Sequence, residues 1–324
     1  MRPLALMVFS VISLLAMSSQ DRASAAGQDV SKRGVPKQGV PSTSGPNNQD
    51  VVQGILSKIG PPSQSTLNTF IDSGMQAPTG HHLTAIEIAE LRAAITRLPL
   101  LYQRVLAQHL RHLSVVDGIP GEGTGLTAPA DKSRRLYDIT FRASLLNETL
   151  SHFLTTKEQR CFSPDGSRIS VVINAGSMDA LTYVFLHEAT HVVDFSLGIS
   201  DRKNNPSSLG IWISHHDLAP PYDKETISQN VFRTNGHPYG MSTAAQIYRS
   251  LSTTPFVSLY ASASINEDLA ELAAYHELYV RFQTGPKIEV RDGSGRLVYR
   301  YEPSLSPIIQ HRFALLDSLL KSNA

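Results

Sequence analysis

The alternation of apolar and polar positions divides the chain into segments of different period. Leu4 to Met17 runs apolar apart from Ser10 and Ser13, whereas Gly27 to Pro46 has hardly any large apolar residue. Beyond position 51 the spacing becomes regular. Short apolar runs interrupted by Gly60-Pro61-Pro62 predict one or two short helices between Val51 and Ile71. Ile88, Leu91 and Ile95 repeat with helical spacing and predict a helix over 84–97. Thr84 with Glu87 forms a capping-box pattern, Leu83 with Ile88 a hydrophobic staple, and Pro99 ends the segment. Leu101, Val105, Leu106 and Leu110 predict a second helix over 100–113, with His109 and His112 on or near its polar side. The glycine-rich 118–125 lacks the Gly-Lys-Ser/Thr of a phosphate loop and reads as a mobile loop at the rim of a cleft. Residues 136–141 alternate as a strand, and 144–155 look helical.

Further on, 168–174 predicts a strand and 177–198 a helix that buries Leu181, Val184, Phe185, Val192 and Phe195. Ser177 fits its N-cap, Asp179 its first turn, and Gly198 the residue that ends it. Residues 200–239 are irregular, rich in Pro, Gly and Asn, and hold the lone Trp212, as expected of an insert that lines a substrate cleft. A short helix over 246–251, a clear one over 265–282, a hairpin of 287–290 with 297–301, and a closing helix over 307–320 complete the pattern. The expected class is α+β: mostly helical, with a small sheet.

Composition narrows the function classes. With Lys+Arg 29 against Asp+Glu 28, the net charge of +1 offers no electrostatic footprint for nucleic acid or an anionic membrane. Arg2, the Leu4–Met17 run and Ala23-Ser24-Ala25 have the layout of a secretory signal peptide, so the chain is expected to be secreted or periplasmic, with no integral membrane segment after cleavage. Cys161 is the single cysteine, which excludes an internal disulfide and suits a bacterial cell envelope. The expected organisation is signal peptide 1–26, disordered leader 27–50, N-terminal helical region 51–135, catalytic domain 136–285, and C-terminal hairpin and helix 286–324.

The chemistry concentrates at His187-Glu188-Ala189-Thr190-His191, an H-E-x-x-H. Histidines four apart on a helix share a face, so His187 and His191 can grip one metal ion, and Glu188 can act as general base on a water. Apolar flanks argue against a solvated face. A hydrolytic zinc site needs a third protein ligand. Asp194 and Leu197 occupy the positions where the metzincin pattern has Gly and His, so that pattern fails. Glu267 and Glu271, four apart on the 265–282 helix, are the best source, one to bind the ion and the other to accept the free N–H of a ligating histidine. His215, His216, Asp217 and His237 of the insert are rival ligands, and His237 is a rival oxyanion donor.

With these residues the chain resembles the gluzincins among the zincin metallopeptidases, and Glu267-x-x-Ala270-Glu271 is similar to the lethal-factor-type segment. The resemblance spans 168–195 and 255–282. It implies a zincin-like fold, Zn2+ on His187, His191 and Glu267, Glu188 as base, Glu271 behind a ligand, and Tyr260, two turns before Glu267, as oxyanion stabiliser. The implied activity is zinc-dependent hydrolysis of a peptide or protein substrate. The strand over 169–173 is a candidate edge for pairing with extended substrate. Two other readings stand beside this one: a zinc-stabilised envelope binding or scaffolding protein without turnover, and a zinc hydrolase of a non-peptide amide.

Overall fold

Helices and strands follow one another in a mixed order: α1 (Asn48–Leu56), α2 (Gln64–Asp72), β1 (Gln76–Gly80), α3 (Ala85–Arg97), α4 (Leu100–His109), β2 (Leu110–Ile119), β3 (Gly125–Asp131), β4 (Leu136–Arg142), α5 (Leu150–Gln159), β5 (Phe162–Ser163), β6 (Ser170–Asn174), α6 (Ala180–Leu197), β7 (Tyr239–Gly240), α7 (Ala244–Leu251), α8 (Ile265–Phe282), β8 (Lys287–Arg291), β9 (Leu297–Tyr301) and α9 (Pro307–Lys321). This computed structural model describes residues 48–323 apart from 122, 203, 204, 206, 207 and 225. The expected signal peptide and the leader up to residue 47 lie outside the described residues. Positions 48–50, assigned to the leader from sequence, begin α1.

Local chemistry explains most boundaries. Thr84 accepts from the Glu87 N–H, and the Glu87 carboxylate accepts from the Thr84 N–H, so the capping box is complete. The second helix does not reach residue 113: α4 ends at His109 and the chain turns directly into β2. Lys58 explains the early stop, since its ammonium donates to the carbonyls of Leu106, Ala107 and Leu110 at 3.1, 2.6 and 2.6 Å. A cation there satisfies the last carbonyls and suits the negative end of the helix dipole. From Leu110 the backbone pairs with two neighbouring strands instead.

The larger sheet has the order β1-β2-β4-β3, with β2 and β4 parallel and the outer pairs antiparallel. Its strands come from both sides of residue 135. The glycine-rich 118–125 therefore joins two strands of one sheet, with Gly118 and Gly125 inside the strands themselves. β3 is an outer strand, which accommodates Pro129. The smaller sheet, β6-β8-β9, is antiparallel throughout. The outer edge of β6 is not open to a substrate, contrary to the sequence-based expectation. Side chains of α5 cover it: Thr155 Oγ1 accepts from the Ile173 N–H at 2.9 Å, and Gln159 donates to the Val171 carbonyl at 3.3 Å.

Helix α6 is the centre of the core. Sixteen of its eighteen residues are buried, so it is enclosed rather than striped. It packs against α3, α4, α5, α8 and β3, and Phe185 meets Phe141 of β4 edge to face at 5.2 Å. Its N-cap is Asp179, not Ser177: the Asp179 carboxylate accepts from the Thr182 N–H at 2.7 Å and from Arg97 at 2.7 Å. Gly198 ends it in the left-handed region at φ 61°, as expected. Among the described residues no helix is long and apolar enough to cross a membrane.

One buried carboxyl in this core is displaced in its titration. Glu158 on α5 is enclosed and accepts from the Tyr248 hydroxyl at 2.7 Å; burial pushes it up to about 7. Because the folded value lies above the unfolded one, the protonated form stabilises the fold below pH 4.5, and this contribution disappears as pH rises through 7. Glu158→Gln should therefore raise stability at pH 8 by about 2 kcal/mol and by much less at pH 5, measured by urea unfolding at both pH values.

Candidate metal centre

The two histidines of α6 point toward α8. His187 Nε2 lies 3.2 Å from His191 Nε2 and 3.0 Å from Glu267 Oε2, and His191 Nε2 lies 3.5 Å from the same oxygen. Glu267 is the third residue of α8, where Ser264 caps the helix by accepting from the Glu267 N–H at 3.2 Å. The positive end of the helix dipole thus favours a charged carboxylate at this position. All three side chains are buried, and together they are the one His/Cys/Asp/Glu group among the described residues placed to hold a metal ion.

The donor set can be tested against a divalent ion. Two ligand atoms bonded at about 2.0–2.1 Å with a tetrahedral angle between them sit about 3.3 Å apart. The three observed separations bracket that value. Two imidazole nitrogens and a carboxylate oxygen form a donor set that suits borderline divalent metals. Charge points the same way. Burial works against a charged His187 ring, yet Glu267 and Glu271 push it up to about 9. Burial would also raise Glu267, but the charge of His191 and the contact with His187 hold it well below the usual carboxylate range. A pair of carboxylates that raises the proton affinity of an imidazole raises its affinity for a metal cation as well.

Behind the ligands, Glu271 sits one turn beyond Glu267 with Oε1 3.1 Å from His187 Nδ1. The same carboxylate accepts from Tyr183 Oη, from Ser258 Oγ at 2.6 Å and from Lys157 Nζ at 3.2 Å. Burial alone would raise Glu271; Lys157 and His187 bring it down to about 2. An anion this close to Nδ1 favours the His187 proton on that atom and leaves Nε2 as the ligand atom, although the pair lacks hydrogen-bond alignment.

Glu188 follows the first histidine and is fully enclosed. Its Oε2 accepts from Thr127 Oγ1 of β3 at 2.7 Å, whereas Oε1 is buried and has no hydrogen-bond partner. Burial pushes this carboxyl up, and the charges of His187 and His191 draw it only part of the way back. Gly125 lies against it: a Cβ at that position would come 2.6 Å from Oε1. Gly125, the last residue of the glycine-rich 118–125, therefore packs on the site as the first residue of β3. Tyr260 is also present, its ring centroid 6.0 Å from that of His187, and its phenol is raised by burial and by Glu267, whose carboxylate accepts its hydrogen bond.

The rival ligands lie elsewhere. His215 is half exposed and faces Asp201 at 3.4 Å and Asn266 at 3.3 Å. Asp217 accepts from Ser214, and His216 and His237 are exposed. Asp194 braces the end of α6 by accepting from the Ser200 N–H at 2.7 Å and from Asn266 at 2.9 Å. Gly125, Thr127, Lys157, Tyr183 and Ser258 were not recognised from the sequence; each is a common residue with no motif around it.

No protein-family model matches the chain, and no curated protein or solved structure matches it either. The geometry of the side chains therefore carries the functional argument alone.

Isothermal titration with a divalent metal should give one site per chain. Glu267→Ala should weaken binding by at least tenfold, whereas His237→Ala should leave it unchanged. The reverse order would move the third ligand into the insert.

Proposed function

We propose that the chain is an exported zinc metallopeptidase of the gluzincin type. The observation that carries this reading is Glu188. It is anchored through one oxygen by Thr127, and the other is buried without a hydrogen-bond partner against Gly125, in a carboxylate that feels the charges of His187, His191 and Glu267. A carboxylate oxygen enclosed without a partner is costly to keep for a purely structural reason. A scaffolding protein has no use for this arrangement.

His187, His191 and Glu267 would hold the ion. When bound, zinc supplies Lewis acidity that acidifies a water and polarises a carbonyl. Glu188 accepts the proton of the attacking water at Oε1 and delivers it to the leaving amine. Its raised affinity for a proton, due first to burial, suits a group that must take up a proton and hand it on. Thr127 confines the carboxylate to one orientation, so the free oxygen needs no reorganisation. Tyr260, kept protonated by burial and by Glu267, exchanges its hydrogen bond to Glu267 for one to the oxyanion that develops on the carbonyl. Glu271 holds the His187 ring in place.

Substrate enters as an extended chain along β3. This outer strand has no strand partner on its far side among the described residues, and it carries Gly125 and Thr127 on Glu188. Pairing along its half-buried part, 128–131, gives main-chain recognition and leads the substrate toward the base, where 125–127 are buried. The apolar run and small-residue cleavage pattern at the start of the sequence support export.

A peptide-library screen should show cleavage that a chelator abolishes. Glu188→Gln should retain the metal and reduce turnover by at least a thousandfold, about 4 kcal/mol in the barrier; full activity in that variant would remove Glu188 as base. Thr127→Val should keep the metal and lower kcat about tenfold to a hundredfold with KM little changed. Gly125→Ala, which drives a methyl into Oε1, should do at least as much damage, read in the same steady-state assay.

A further inference from the structure

Lys157 is a buried cation that the reaction described above does not use. It lies on the inner side of α5 at 7% exposure, an unusual place for an ammonium unless it is paired. Its Nζ is 3.2 Å from Glu271 Oε1 and 3.9 Å from the centroid of the Tyr260 ring. The Tyr183 ring stands further off, at 6.0 Å. One charge thus touches the carboxylate behind His187 and the face of the aromatic ring proposed to serve the oxyanion.

We propose that Lys157 is a positioning residue that orients the metal-binding His187 through Glu271 and fixes the Tyr260 ring beside it. The inference rests on the metal-site reading and extends it to a residue outside the motif. A carboxylate that accepts from three protein donors and faces an imidazole N–H has its lone-pair sites occupied, so it cannot rotate without breaking several bonds. Lys157 is the charged member of that set. Its attraction to Glu271 in a dry interior is much stronger than on a surface. It sets a full charge against the oxygen that faces the His187 ring, which fixes that oxygen in place. The same ammonium over the ring is a desolvated cation–π contact. It presses Tyr260 from one side while Phe232 of the insert meets the ring edge to face at 4.9 Å. Without the cation, Glu271 would lose its lysine partner and Tyr260 the charge over its ring face.

The test uses the full chain and zinc alone as ligand. Zinc affinity is measured by competition with a chromophoric chelator for the wild type, Lys157→Met, Lys157→Arg and Ser258→Ala, with folding checked by circular dichroism. Lys157→Met should bind about tenfold to a hundredfold more weakly, and Lys157→Arg, which restores the cation, should return to within a few-fold of wild type. Ser258→Ala, which removes a neutral donor from Glu271 and leaves the Lys157 charge in place, should fall between them. If Lys157→Met does not fold, Lys157→Gln, which keeps a donor without the charge, takes its place in the comparison. A folded neutral variant with wild-type affinity overturns the proposal, as does an arginine variant no better than the neutral one. A wild-type chain that binds no zinc overturns both this inference and the metal site. A chain that binds zinc with the expected ranking but hydrolyses no peptide sinks only the peptidase reading.

Discussion

Burying several ionisable groups in one dry space is the constraint that shapes this molecule. His187, His191, Glu188, Glu267 and Glu271 are nearly or wholly enclosed. Each would be strongly disfavoured there alone, because water is withdrawn and nothing in an apolar core replaces it. The surrounding polar residues make sense as compensation. Thr127 serves Glu188, while Tyr183, Ser258 and Lys157 serve Glu271. What they leave without a hydrogen bond is one oxygen of Glu188 and the Nδ1 atoms of both histidines, around a triangle of two nitrogens and an oxygen sized for a small divalent ion.

Keeping that triangle in shape requires two helices whose positions do not drift. α6 is fixed at both ends, by Asp179 and Arg97 at its start and by left-handed Gly198 at its finish, and its whole circumference is packed. α8 is capped by Ser264 within one turn of Glu267, and Asp268, the next residue, is paired with Arg312 of α9 at 2.8 Å. The ligand helix is therefore tied to the last helix of the chain. This gives the C-terminal segment a part in the geometry of the site even though it contributes no ligand.

Much of this was legible in the sequence, and the exceptions have physical causes. Period and caps identified α3, α8 and α9 almost to the residue. The cluster of His187, His191 and Glu267 followed from residue types and helical spacing. Long-range pairing was not legible. Leu110 to Val116 carries apolar residues at spacings a helix can also satisfy, and only the distant Lys58 and the strands at 76–80 and 136–142 decide for a strand. β3 was hidden by Gly125 and Pro129, which read as loop residues and are tolerated because one edge of that strand is unpaired. Thr127 and Lys157 went unseen for a related reason: their partners stand 61 and 114 positions further along the chain. The capping aspartate was two residues from the expected serine because an isolated pairing of Thr149 with Asp179 sets where the chain enters α6.

The irregular stretch between α6 and α8 is less independent than its composition suggests. The His215 carbonyl accepts from the Ile265 N–H, Trp212 donates to Asp268, and Asn266 joins Asp194 to Ser200. All of these anchors fall within three residues of Glu267. The stretch cannot be exchanged as a cassette, because any graft must reproduce the tryptophan and its carboxylate partner or the coordination sphere next door would loosen. Diversification of such a scaffold would be confined to the parts of the insert far from these anchors, with the anchors themselves inherited as a block together with the ligand helix.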